Sequence, residues 1–170
     1  MHRHAFIAIV GTFVPTASIA QTAVERFDHL PSVTIGIGQP LELDRFRIEV
    51  PFGGRSAAIR AAPIVDDIAS GMVLGMPDGE PSSTVVLTFA APWQRVDIDV
   101  VLPPTIATPP PETVVLTYAE GDEHASALGL RHSATGLRQH IGLGTPQGRP
   151  IRQITVLLRD GAYVDNVGMR

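Results

Sequence analysis

Hydrophobic and polar residues alternate with a period of two over much of the chain, which is the signature of half-buried antiparallel strands. In STVVLTFA (83–90), Val85, Leu87 and Phe89 share one face and Val86 and Thr88 the other. In RVDIDVVL (95–102), Val96, Ile98 and Val100 are predicted to point inward and Asp97 and Asp99 outward to solvent. ETVVLTYA (112–119) sets Val114, Leu116 and Tyr118 against Thr113, Val115 and Thr117, and RQITVLLR (152–159) puts Ile154, Val156 and Leu158 on a core side. Weaker strand patterns cover 32–37, 44–50, 57–60 and 126–131. The breaks are turn chemistry: PFGG (51–54), MPDGEPSS (76–83), AEGDE (119–123) and RDGA (159–162) hold the Gly and Asp that tight turns require. APIVDDIASGMV (62–73) is the one helical candidate, and Gly71 limits it to a turn or so. LPPTIATPPPE (102–112) is too rich in proline to join a strand ladder, so it is expected to connect two strands outside the sheets. Short strands at this spacing, without helices between them, predict a sandwich or barrel, with two sheets about 10 Å apart sharing one core.

The closing stretch GAYVDNVGMR (161–170) places two polar residues inside a strand pattern. Counting by twos from Met169 and Val167 puts Asp165 and Tyr163 on their face, which would turn the carboxylate inward near the rim. Asn166 then falls on the outer face or at a bulge. A buried carboxylate must be paired, hydrogen-bonded or protonated.

Composition sets the compartment and removes some functions. The chain has 170 residues, no cysteine and a formal charge of −4, and all 13 basic residues are arginine. No basic cluster is present, which argues against nucleic-acid binding, where cations must neutralise phosphates. MHRH followed by AFIAIVGTFV (5–14), Pro15 and SIA (18–20) has the layout of an export signal, with cleavage expected after Ala20. The apolar run is shorter than the roughly 20 residues that cross a bilayer, and no other segment approaches that length. The expectation is a signal at 1–20 and one domain at 21–170, periplasmic or extracellular, with no membrane span once the signal is removed.

Several motifs together resemble a known group. RFDHLP (26–31), FAAPWQRVDIDV (89–100), LTYAEGDEHASALGL (116–130), IRQITVLL (151–158) and YVDNVGMR (163–170) follow the order seen in exported bacterial jelly-roll domains of the PEP-CTERM-associated kind. In wider shape the chain is similar to galactose-binding-like carbohydrate-binding modules. Ala119 departs from the Asp often found there, and no sorting helix follows Arg170. The resemblance implies an all-β, antiparallel two-sheet jelly-roll sandwich. It also implies a structural Ca²⁺ where first and last strands meet, for which Asp165, Asp28 and Glu25 are the candidate ligands. Ca²⁺ asks for six to eight oxygens. The competing reading holds Asp165 by backbone N–H groups or by an arginine such as Arg26.

Other chemistry is thin. Asp97 and Asp99 lie roughly 6–7 Å apart along one strand, close to a glycosidase carboxylate spacing. Such enzymes place their carboxylates across a cleft, so a solvated sheet face is the simpler account. His124, His132 and His140 make no zinc motif and are expected in surface loops. No nucleophile elbow is present, and GIG (36–38) and GLGTPQG (142–148) lack the helix that a dinucleotide loop needs. Trp93 is a candidate sugar-stacking platform, but its place at a strand entry, where a core plug or rim cover is commoner, and the few aromatics of the chain favour the packing role. The function that these features favour is an exported, non-catalytic module with a binding or structural role and a glycan or cell-surface partner. The alternatives are a lectin-like glycan-binding domain, or a secreted hydrolase using Asp97 and Asp99 or a histidine.

Overall fold

The computed structural model describes residues 22–63, 71–119, 125–145 and 147–170. The signal at 1–20, Asp66 and Asp67 of the helical candidate, most of the turn at 119–123 and His124 lie outside them.

Thirteen strands are formed by the described residues: β1 (Ala23–Glu25), β2 (Val33–Ile35), β3 (Leu41–Glu42), β4 (Phe46–Glu49), β5 (Ala57–Ala61), β6 (Met72–Gly75), β7 (Ser82–Trp93), β8 (Val96–Leu102), β9 (Glu112–Ala119), β10 (Ala125–Arg131), β11 (Leu137–Leu143), β12 (Ile151–Arg159) and β13 (Tyr163–Met169). They build two antiparallel sheets. One runs β11-β8-β13-β6-β5-β2, with β1 also on β13; the other runs β10-β9-β12-β7-β4-β3. From β7 onward the chain changes sheet at nearly every connection, and the result is a jelly-roll sandwich. The end of the helical candidate is strand β6, because Met72, Val73 and Leu74 pair with β5 in the first sheet.

Each long strand contributes one apolar row to a shared core. Val85, Leu87 and Phe89 face Val96, Ile98 and Val100 of the other sheet together with Ile154, Val156 and Leu158, all at most 2 % exposed. Phe46 and Phe89 meet edge to face, with ring centroids 5.6 Å apart. Strand β9 buries Thr113, Val115 and Thr117 and leaves Val114, Leu116 and Tyr118 half-exposed on the outside. Trp93 packs against the core at the end of β7, as its position predicted.

The proline-rich connection between β8 and β9 passes from one sheet to the other. His132 fastens it: its backbone N–H donates to the Pro111 carbonyl, and its Nδ1 lies 3.2 Å from the Pro103 carbonyl. His132 is 3 % exposed, so the expected surface position is wrong for this histidine. Its burial pulls its pKa below the ordinary imidazole value.

Candidate functional site

The site begins with a defect in β13. Val164 pairs with Val100 and Asn166 with Asp99, so the register slips by one residue between them and Asp165 is the extra residue of a β-bulge. The bulge coincides with a change of neighbour on the other side, from Leu74 of β6 opposite Val164 to β1 opposite Val167 through Met169. Val164, Val167 and Met169 all belong to the core, three and then two residues apart. The simple alternation therefore fails here. Tyr163 lies with Val73 and Val101 in a small cluster separate from the main core, on the outer face of the first sheet, and Asp165 shares that face. Asp165 does not share the face of Val167 and Met169, because the bulge reverses the parity between them.

The ladder then lays out three rows on that outer face. Gly142, Asp97 and Gly168 are cross-strand neighbours, as are His140, Asp99 and Asn166, and Arg138, Val101 and Tyr163. Residues opposite one another in such rows stand close enough to interact directly. A Cβ at Gly142 would sit 3.0 Å from Asp97 Oδ1 and against the Arg95 guanidinium, so glycine leaves the space that the Arg95 side chain occupies.

Asp97 is held from both strand ends. Arg95 Nε donates to its Oδ1 at 2.8 Å and Arg170 Nη2 to its Oδ2 at 2.6 Å. The backbones of Arg95 and Arg170 bond each other in both directions, which extends the β8–β13 ladder under the two side chains. Asp97 is 5 % exposed, not a solvated surface residue as alternation alone predicted, because these two long side chains close over it. Burial pushes its carboxyl pKa up, but the Arg95 and Arg170 hydrogen bonds outweigh this and hold it below the ordinary value.

Asp99 is the hub. Its Oδ2 accepts from Arg138 Nη2 and Asn166 Nδ2, each at 2.8 Å, and its Oδ1 lies 2.7 Å from His140 Nδ1. Its side chain is 15 % exposed, again well short of the predicted solvent exposure. Burial raises its pKa, yet bonds from Arg138, Asn166 and His140 win and bring it to about 2. Arg138 Nη2 also reaches Asp165 Oδ2 at 2.8 Å, so one guanidinium bridges two carboxylates. Asp165 moves the other way: burial raises its pKa, and Asp99 and Asp28 add to this while Arg138 and Arg26 oppose it. His140 stands on β11 in this cluster and not in a surface loop, as had been expected.

These side chains line an open depression of about 520 Å³, together with Thr22, Val24, Arg26 and Asp28. Asp28 and Asp165 therefore come together in one concavity, whereas Glu25 is not part of its lining. Glu25 Oε1 accepts from the Phe27 N–H at 2.7 Å, where Phe27 turns the chain at a φ of 59°. Asp28 Oδ1 accepts from the Met72 N–H at 2.9 Å and ties the opening segment to β6. Among the described residues, no three His, Cys, Asp or Glu side chains converge as a metal site. Glu25 bonds the Phe27 N–H, Asp28 the Met72 N–H and Asp165 the Arg138 guanidinium, so the three carboxylates are each turned to a different protein partner. Asp165 matches the competing reading of a carboxylate held by an arginine, but the arginine at hydrogen-bond distance is Arg138.

Arg138 and Asn166 were missed as site residues. Asn166 carried a signal, since two polar residues between Val164 and Val167 cannot both keep a period of two. Arg138 carried none: its partner Asp99 is 39 residues away.

No protein family and no characterised protein matches the chain in sequence. Solved structures resemble it in fold. The module TmCBM61, in complex with β-1,4-galactotriose, is 12 % identical, with a TM-score of 0.42 over 76 % of this chain and 90 % of that one. The enzymatically active domain of tailspike protein 4 from bacteriophage CBA120 is 11 % identical, with a TM-score of 0.40, covering 85 % of this chain and 20 % of that one. The xylan-binding module CBM15 is 11 % identical, with a TM-score of 0.36, covering 81 % and 94 %.

Proposed function

We propose that this chain is an exported, non-catalytic β-sandwich that binds a glycan in the depression over β8, β11 and β13. The observation that carries the reading is the row of Asp97, Asp99 and Asp165 interleaved with Arg138, His140 and Asn166 on rigid, neighbouring strands. A sugar hydroxyl both donates and accepts, so it pairs best with acceptors and donors set side by side. The carboxylates supply acceptors, the guanidinium and amide supply donors, and their mutual bonds fix them before a ligand arrives. No Phe, Tyr or Trp is among the described residues that line the depression, so recognition rests mainly on hydrogen bonds.

Hydrolysis by the Asp97–Asp99 pair alone is disfavoured. A glycosidase needs one carboxylic acid that keeps its proton near neutral pH. Asp97 and Asp99 are both pushed toward the ionised form, whereas burial shifts Asp165 in the same depression toward the protonated form, so product release is the readout that separates hydrolysis from binding.

On an array of galacto-, xylo- and manno-oligosaccharides, the full chain is expected to retain at least one without releasing product. Asp99→Asn and His140→Ala should weaken retention by about tenfold or more, the equivalent of losing one good hydrogen bond. Thr155→Ala, in the other sheet, should leave it unchanged. Retention that survives Asp99→Asn and His140→Ala would refute the site. Export carries its own test: N-terminal sequencing from the native host should start near Gln21, and recovery of intact Met1 would contradict it.

A further inference from the structure

The two sheets end in unequal edges. β1, β2 and β3 have only two or three residues each. β11 is seven residues long, but it carries Arg138 and His140 on its outer face. β10 is different. It pairs with β9 over seven residues, Ala125 opposite Tyr118 through Arg131 opposite Glu112, without a bulge. It ends the order of its sheet, so its other side carries a row of backbone N–H and C=O groups that no described strand meets. Six of its seven residues are not buried, and Leu128 is 39 % exposed. Natural sheets guard such edges with charges, proline, bulges or brevity. ASALGLR has none of these before its last residue.

We infer that β10 is a docking edge for a second copy of this chain, joining two copies through a continuous antiparallel sheet. The sequence is complementary to itself about Leu128. With Leu128 opposite the partner's Leu128, Ala127 meets the partner's Gly129, Ser126 meets the partner's Leu130, and Ala125 meets the partner's Arg131. Every outer-face pair contains a small residue, so the backbones can approach without obstruction. Arg131, the only charge on the strand, falls opposite a neutral alanine and never faces its own copy. Its side chain is 64 % exposed and 4.0 Å from Glu112. From there it can reach over the small Ala125 to the partner's Tyr118, whose ring offers a cation–π face. The outer row is then Glu112, Arg131, the partner's Ala125 and the partner's Tyr118, with charges and ring in a complementary order. A single seven-residue strand pair covers less than the roughly 1,200 Å² of a small stable interface. The dimer is therefore weak and reversible.

Sedimentation of the full chain is expected to show a monomer–dimer equilibrium that fills toward dimer in the high micromolar range. Leu128→Lys places like charges opposite each other on the two-fold axis and should weaken the dimer by about tenfold or more. Its melting temperature, measured dilute, should match that of the natural chain. The chain has no cysteine, so Leu128→Cys introduces a single thiol. Under diamide it should give a disulfide-linked dimer, because directly opposite Cβ atoms lie within reach of that bond. Ser126→Cys, opposite the partner's Leu130, should not. A chain that stays monomeric at all concentrations would overturn the inference. So would a dimer indifferent to Leu128→Lys, or equal cross-linking of the two cysteine variants.

Discussion

The folded chain is expected to lose about 2 kcal/mol of stability between pH 4 and pH 2 through Asp99 alone. The carboxyl sits at about 2 in the fold against 3.8 ordinarily, and that difference converts directly into free energy. A depressed value in the folded state means that the unfolded chain takes the proton first. The stabilisation is therefore complete above about pH 4 and disappears as pH falls through the folded value. Asp97 is shifted in the same direction and steepens the decline. Asp165 is shifted upward, so its contribution has the opposite sign: ionising it costs stability as pH rises through its folded value, and acid relieves that cost. Asp99→Asn should flatten the acid limb and lower stability at neutral pH by about the amount the wild type loses in acid. Urea midpoints from pH 2 to 7 measure both. An unchanged acid limb in Asp99→Asn would mean that Arg138, Asn166 and His140 do not hold this carboxylate.

Ile98→Ala is expected to cost about 2–5 kcal/mol, since Ile98 is fully buried in the main core and its removal leaves a cavity between the sheets. Its neighbour Asp97 makes the contrast informative. A residue on a solvated face would tolerate Asp97→Asn within about 0.5 kcal/mol. Here the carboxylate takes bonds from two guanidinium groups, and bonds to charged partners are worth more than neutral ones. Both arginine side chains are about half-exposed, so the expected loss is about 1–2 kcal/mol, reduced for solvent screening. Denaturant midpoints of the two variants and of Arg170→Ala decide it. If Asp97→Asn is silent, the Arg95–Asp97–Arg170 clamp does not hold in solution.

The sandwich was legible because most of its strands have one apolar and one polar face, and Val85, Leu87, Ile98 and Val156 announce their side. The order of strands in the sheets carried no such signal. Strand β9 shows where the reading stops. Thr113, Val115 and Thr117 compete with Val114, Leu116 and Tyr118, and either row can pack against a core, so only the opposing sheet settles which is buried. The exposure of Asp97 and Asp99 was misjudged because alternation reports the side of a strand and not what covers that side. Their covering arginines come from both ends of the pairing strands and from β11, with Arg170 lying 73 residues beyond Asp97. The inward reading of Asp165 failed on one inserted residue, since a bulge reverses every face that follows it. That bulge is also why a carboxylate and an amide stand side by side in the last strand. They span the point where β13 exchanges β6 for β1, and they point together at Asp99 and Arg138.

The central claim is that a glycan occupies the outer face of β8, β11 and β13. Amide resonance mapping tests it most directly, with the full chain titrated by an oligosaccharide retained on the array. The account predicts shifts concentrated at Asp97, Asp99, Arg138, His140, Asp165 and Asn166, with β9, β10 and β12 unmoved. Shifts confined to the opposite sheet, or spread evenly over both, would contradict it.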